Sequence, residues 1–325
     1  MSILKIIILS MIITVSGSGI SFAQKVNIVP PPPPKGAKSA LMQAVVNPEV
    51  PMAVHFAGEK VSFDRLDMYE RLDRELTSLA YGHGNTLLTI KRANRYFPEI
   101  VPVLKKYGIP EDFIYMAAVE SYFNIRAYSS ANAAGMWQFL AGTAKQYGLE
   151  VNSEVDERYD PEKATVAACK YLKDAYDRYG NWSTVAASYN GGMGRLTNEL
   201  SSQMEDTFYD LYLTEETSRY VFRIIAMKMI FENPKAYGFR LSADQLYQPL
   251  KYKTVEVSES VPSWSEWAQN YDISYAQLRE INPWIRSKSL TNKNGKTYIV
   301  KIPLENELYR SKRNFKSYNK NWITD

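Results

Sequence analysis

Gly108-Ile-Pro-Glu-Asp-Phe-Ile-Tyr-Met-Ala-Ala-Val-Glu120-Ser121 is the stretch on which the reading of this chain turns. Pro110 suits the first turn of a helix, and Glu111 and Asp112 favour its positive end. The helix then runs from Phe113 to Glu120. At helical spacing Glu120 shares a face with Phe113, Met116 and Ala117, and it lies near the C-terminus, where negative charge is disfavoured. Partial burial and the helix dipole both raise a carboxyl pKa, which is the state a general acid needs. The same spacing also fits a helix-end residue that reaches solvent. Spacing alone leaves both readings open.

Outward from this helix the chain reads as more helices. Asp64 to Leu79 carries Leu66, Tyr69, Leu72, Leu76 and Leu79 in a helical rhythm with charges between. Leu87 to Tyr96 reads as a second helix stopped before Pro98. Helical runs and short Gly, Asn or Pro loops alternate through residue 235 with no convincing strand, so this part is expected to be all-helical. From Lys251 the texture changes. Tyr252-Lys-Thr-Val-Glu-Val alternates like a strand, Trp264 to Tyr271 and Tyr275 to Ile281 read as short helices, and Lys296 to Ile302 returns to a strand. The fold class is therefore mainly α, with a small βααβ domain at the C-terminal side. Pro303 to Asp325 is polar and basic without a clear period and reads as a tail.

Composition narrows the chemistry. The 325 residues carry a net charge of only +4, which makes no case for nucleic acid. The single cysteine, Cys169, sits in an apolar helical pattern and reads as core. With His55 and His83 as the only histidines, structural zinc, an intrachain disulfide and Ser-His-Asp catalysis all lack the residues they need. Hydrolytic chemistry has to run on carboxylates, and no metal or other cofactor is expected. The 24 tyrosines offer flat apolar faces with polar tips, which suit sugars as well as cores. Lys5, the apolar run Ile6 to Val15 and the small residues of Ser21-Phe22-Ala23 read as an export signal. The apolar run is short for a membrane span, so none is expected after cleavage. The mature chain is expected to start near Gln24 and to be exported, periplasmic or associated with the cell envelope. Pro30 to Pro34 form a stiff tether.

Four motifs follow one another in order: Glu120-Ser121, then Ser129-Ser-Ala-Asn-Ala-Ala-Gly-Met-Trp-Gln138, Ser188-Tyr189-Asn190 and Glu216-Thr-Ser-Arg-Tyr220-Val. Over residues 101 to 232 this series resembles the soluble lytic transglycosylases of goose-lysozyme-like fold, most closely their membrane-bound type D branch. The resemblance implies that Glu120 is the single catalytic acid/base acting on peptidoglycan glycan strands. It would protonate the bond between N-acetylmuramic acid and N-acetylglucosamine, then take the muramoyl C6 hydroxyl proton to leave a 1,6-anhydro end. Ser129, Gln138, Tyr189, Asn190 and Tyr220 match substrate-side positions. Ser121 joins that set, though bracing the loop is its more natural role. Such a reaction needs one carboxylate where ordinary glycosidases need two. Glu111 and Asp112 sit too far back to be the second, and Glu154 to Glu157 read as a solvated loop.

The sequence departs from the family pattern at Met136-Trp137, where Leu-Met is usual, and at Ser188, where Ala is usual. Trp137 reads as core ahead of a sugar platform. The second domain resembles LysM, a glycan-binding module, but Ser258-Glu-Ser-Val-Pro replaces its usual Pro-Gly-Asp turn. The expected organisation is a signal peptide (1–23), a Pro-rich linker (24–51), a helical N-terminal extension (52–100), a lysozyme-like transglycosylase domain (101–246), a LysM-like domain (247–303) and a basic tail (304–325). A muramidase that hydrolyses the same bond, or a silent wall-binding scaffold, are the competing functional readings. Protein partners are not legible.

Overall fold

The computed structural model describes residues 47–324. The expected signal peptide and most of the expected Pro-rich linker lie outside them. The first described elements are two short strands, β1 (Ala53–Phe56) and β2 (Glu59–Ser62), paired antiparallel with Phe56 opposite Glu59. Ala57 and Gly58 make the turn between them, both at positive φ (54° and 85°), as a two-residue hairpin of this hand requires. The expectation of no strand before residue 235 is corrected here. Four-residue strands are too short to show a clear alternation in sequence.

Helices α1 (Leu66–Tyr81) and α2 (His83–Lys106) follow. In α1 the buried stripe is Met68, Leu72, Glu75, Leu76 and Ala80, while Leu66 lies 72% exposed. The expected stop before Pro98 does not occur: α2 continues through Pro98 and Pro102. These prolines are four residues apart and both exposed, so their rings lie on the solvent side of the helix. On the opposite side Ala93, Phe97, Ile100, Val101 and Leu104 form an unbroken buried stripe that holds the helix together. His83 opens this helix and lies edge-on to Tyr81.

The central helices are α3 (Ile114–Ser121), α4 (Ala141–Gln146), α5 (Pro161–Tyr179), α6 (Trp182–Gly191), α7 (Met193–Gln203) and α8 (Glu215–Glu232). Their ends are written in the sequence. Asp160 caps α5 by accepting from the Lys163 N–H (3.0 Å), Pro161 takes its first position, and Gly180 ends it at φ 62°. Asn181 caps α6 in the same way, from the Thr184 N–H (2.8 Å). α8 is buried along most of its length and packs against α1, α3 and α6. Cys169 and Trp137 are fully buried in this core, and the Trp137 Nε1–H donates to Thr165 Oγ1 (2.9 Å). Trp137 is thus core, as read.

The C-terminal strands β3 (Tyr252–Val257) and β4 (Tyr298–Pro303) pair antiparallel, Tyr252 opposite Pro303 and Val257 opposite Tyr298. Between them lie α9 (Trp264–Gln269) and α10 (Tyr275–Ile281). The mainly helical body and the small βααβ unit are as expected. The unit has its own core of Trp264, Leu278, Trp284, Val300 and Ile302, joined by Val155 from the helical body. The Asp156 N–H donates to the Trp284 carbonyl (2.9 Å) and the Arg286 N–H to the Glu154 carbonyl (2.8 Å), so the two cores are stitched backbone to backbone. The residues after Pro303 turn back onto the helical body, where Trp322 is buried.

Candidate active site

Glu120 is the penultimate residue of α3, and after Ser121 the chain makes an abrupt turn through Tyr122 and Phe123, both at φ 53°. Left-handed backbone is unfavourable for aromatic residues, and the surroundings must impose it. Phe123 is fully buried and packs edge-on against Phe97 at 5.5 Å, and the Tyr122 carbonyl accepts from Arg92 Nη1 (3.1 Å). This turn leaves Glu120 half-buried at the helix end, facing α8.

There the Tyr220 hydroxyl donates to Glu120 Oε1 at 2.5 Å. Burial pushes the Glu120 carboxyl up to about 7, against the Tyr220 hydrogen bond, which favours the charged form; the negative charge of Glu216 pushes it further up. Tyr220 is itself buried, and desolvation beside Glu120 raises its phenol well above the usual range, so it remains a donor. Tyr189 on α6 is raised for the same two reasons. Its hydroxyl donates to the Trp137 carbonyl (2.8 Å), and its ring packs on Phe139 at 5.8 Å and Tyr171 at 5.0 Å. Asn190 accepts from Thr217 Oγ1 (2.8 Å), which ties the end of α6 to the start of α8.

The loop after α3 supplies the opposite wall. Gly135 has φ 77°, and a Cβ there would lie 1.8 Å from the Arg158 carbonyl oxygen, so only glycine fits. Gln138 is also left-handed, at φ 49°, and its Nε2–H donates to the Gly135 carbonyl (2.8 Å). Ser121 is buried beneath, and its hydroxyl donates to the Met136 carbonyl (2.8 Å). It pins this loop to α3 and faces no open space, which favours the bracing role over direct substrate binding. Ser129 Oγ accepts from the Ala133 N–H (3.1 Å) and shapes its own turn.

Glu120, Tyr220 and Tyr189 are therefore close enough to influence one another's ionisation, with Gln138 and Asn190 on adjoining walls. Sequence reasoning missed Glu216, which is exposed one turn before Tyr220 on the same face of α8. It was visible as the first residue of the Glu216-to-Val221 motif. The solvated-loop reading of residues 154–157 is corrected. Asp156 and Glu157 are buried, Asp156 paired with Arg158 (2.7 Å) and Glu157 with Lys163 (2.6 Å). Their charges are matched within the fold, which takes them out of contention as catalytic acids.

Residues 102–211 match the transglycosylase SLT domain, and residues 253–306 match the soluble lytic transglycosylase C-terminal LysM-like domain. This chain carries an SLT transglycosylase domain. It is homologous to membrane-bound lytic murein transglycosylase D of Escherichia coli K12, 31% identical over 71% of this chain and 50% of that protein. Peptidoglycan transglycosylase gp16 of Escherichia phage T7 is 38% identical over 28% of this chain and 7% of its own length. Among solved structures, the 70 kDa soluble lytic transglycosylase of Escherichia coli aligns at 22% identity over 51% of this chain and 34% of that one, with a TM-score of 0.38. The chain spans about half the length of the curated relative it matches over most of its own. Glu120, Gln138, Tyr189 and Asn190 all fall within the matched SLT segment, and Tyr220 lies just beyond it.

Proposed function

We propose that this chain is a peptidoglycan lytic transglycosylase that cleaves the β-1,4 bond between N-acetylmuramic acid and N-acetylglucosamine. The observation that carries the reading is Glu120: one half-buried carboxyl, raised to about 7 and held by the buried Tyr220 hydroxyl. Near neutral pH such a group is present in both protonation states, so it serves first as acid and then as base. It protonates the leaving glycosidic oxygen. Its carboxylate then accepts the C6 hydroxyl proton as O6 attacks C1, and a 1,6-anhydro end forms without water. Gln138, Tyr189, Asn190 and Ser129 are assigned to the sugar side, and Ser121 to positioning the loop. Residues 101–246 are assigned as the catalytic domain and 247–303 as the LysM-like module. The substrate implies an envelope location, and no helix among the described residues is long and apolar enough to cross a membrane.

Glu216 favours a second reading. An exposed carboxylate on the same helix face as Tyr220 is suitably typed to activate water, which would make the enzyme a muramidase. Mass spectrometry of muropeptides released from purified sacculi separates the two. Anhydro ends, lost in Glu120→Gln and kept in Glu216→Gln, are the expected result. Reducing ends that vanish in Glu216→Gln would replace the proposal with hydrolysis, and no release at all would leave a binding scaffold.

A further inference from the structure

The seam between the helical body and the βααβ unit holds a cavity of about 680 Å³ with four arginines on its walls: Arg126, Arg158, Arg279 and Arg286. Its only carboxylate is Asp156, which is spent on Arg158 in a buried two-point ion pair, Nη2 to Oδ2 at 2.7 Å and Nε to Oδ1 at 2.9 Å. Arg126 has an acid outside the cavity, Glu280, at 2.8 Å. Arg279 and Arg286 have no carboxylate partner among the described residues. Arg279 Nη1 donates to the Tyr275 hydroxyl (2.7 Å), yet its Nε is buried without any hydrogen-bond partner. Arg286 lies 4.3 Å over the Tyr159 ring, and its one side-chain hydrogen bond is a long 3.4 Å contact to the Pro283 carbonyl.

A buried N–H left unbonded is costly, and guanidiniums gathered in one cavity repel one another unless an anion joins them. Planar forks of N–H groups match the two oxygens of a carboxylate. Arg126 lies on the loop after α3, which continues through Tyr128, a further wall of the cavity, to Ser129, assigned above to the sugar side. We infer that Arg279 and Arg286 form a carboxylate-binding subsite for the peptide branches of the glycan strand. The inference rests on the peptidoglycan reading. The cleft would hold the sugars, and the seam would hold the acidic peptide that leaves them. The βααβ unit thereby becomes part of the substrate site, since it supplies both unpaired arginines.

The test is a calorimetric titration of the full chain with the free tetrapeptide cut from sacculi. Saturable binding is expected, and Arg279→Gln with Arg286→Gln should weaken it by about tenfold or more, as expected for losing charge-assisted hydrogen bonds. The same peptide with its carboxylates amidated should bind wild type no better than the free peptide binds that variant. No binding to wild type, or equal binding to wild type and variant, would overturn the subsite. Arg279→Lys and Arg286→Lys keep charge and stem; they replace the glutamine pair if it fails to fold, and the lost fork should still cost affinity. In a second arm, KM on peptide-bearing glycan chains should rise in the variant, while peptide-stripped chains should turn over as before. Equal losses on both kinds of chain would assign the arginines to stability instead. If wild type turns over neither kind, the lytic reading fails, and the titration alone still decides the subsite.

Discussion

At Glu120 burial and hydrogen bonding pull in opposite directions, and burial wins: the carboxyl rises from 4.5 to about 7 although Tyr220 donates to it. An acid whose folded pKa is raised contributes full stability below 4.5 and loses it as pH climbs through about 7. Above that, holding the charge in the fold costs on the order of 3 kcal/mol. Glu120→Gln should therefore melt higher than wild type at pH 8 and at the same temperature near pH 4, while turnover falls by about 10²-fold or more. Thermal melts across that range check the sign, and equal pH dependence in both proteins would refute it. Tyr220→Phe removes the hydrogen bond that favours the charged form, leaving only the weaker pull of Arg223. The alkaline limb of the pH–rate profile should then move to higher pH, with kcat lowered; a limb that stays in place would mean Tyr220 does not set the Glu120 proton. Both residues were legible from motif order. The short-range geometry was not, because left-handed Tyr122 and Phe123 leave no trace in composition or spacing. Glu216 stands in the last of the four motifs, but only the fold shows that the face it shares with Tyr220 is turned toward Glu120.

The three helices that bear the site are tied together by an element the sequence did not reveal. Glu59 on β2 accepts from the N–H groups of Trp182 (2.6 Å) and Ser183 (3.2 Å), the otherwise unbonded donors that open α6. Asp112, just before α3, accepts from the Ala57 N–H at the hairpin turn (2.7 Å) and from Lys228 Nζ on α8 (2.7 Å). Lys228 also donates to the His55 carbonyl (2.7 Å). One hairpin thus touches α3, α6 and α8, which carry Glu120, Tyr189 with Asn190, and Tyr220. Glu59→Ala should cost about 1–3 kcal/mol in urea melts, because it orphans donors at the start of α6. Asp112→Asn should cost more, about 3 kcal/mol, because it takes the nearer countercharge from a nearly buried lysine and leaves only the exposed Glu232 at 3.6 Å. If the two substitutions are equal and small, the hairpin is decoration. The long helices were legible because each carries a sustained apolar stripe. Tertiary packing overrode the local signal at Pro98 and Pro102, whose rings face water while the opposite stripe continues.

Taken as a whole, the molecule is less modular than its sequence pattern. The residues read as a basic tail return to the helical body, where the Trp322 Nε1–H donates to the Phe231 carbonyl (2.9 Å) and its ring meets Phe97 edge-on at 5.1 Å. A lone tryptophan near the end of a polar stretch gives no period to read, so its burial was invisible. Trp322→Ala should destabilise the helical body by about 3–5 kcal/mol. Cutting the chain after about Tyr247 would remove Trp322 together with the βααβ unit, so the loss of binding in such a truncation would report unfolding as readily as a lost tether. Point variants are the cleaner test of glycan anchoring. Trp264 and Trp284 fill the small core, which withdraws them from any sugar. Trp267 and Tyr271 pack on each other at 4.5 Å and stay partly exposed, with Lys253 Nζ 5.3 Å from the Tyr271 ring. A pair of partly exposed aromatic rings, with a cation over one of them, is a surface on which a glycan can stack. A second weak site on the same chain raises the effective concentration of substrate at the first. Trp267→Ala with Tyr271→Ala should therefore weaken sedimentation with insoluble peptidoglycan several-fold. Turnover of short soluble glycans, where tethering adds nothing, should stay near wild type with the melting temperature little changed. If sedimentation matches wild type, the unit does not anchor the enzyme through these rings, and the replaced turn at Ser258 to Pro262 becomes the physical reason to examine next.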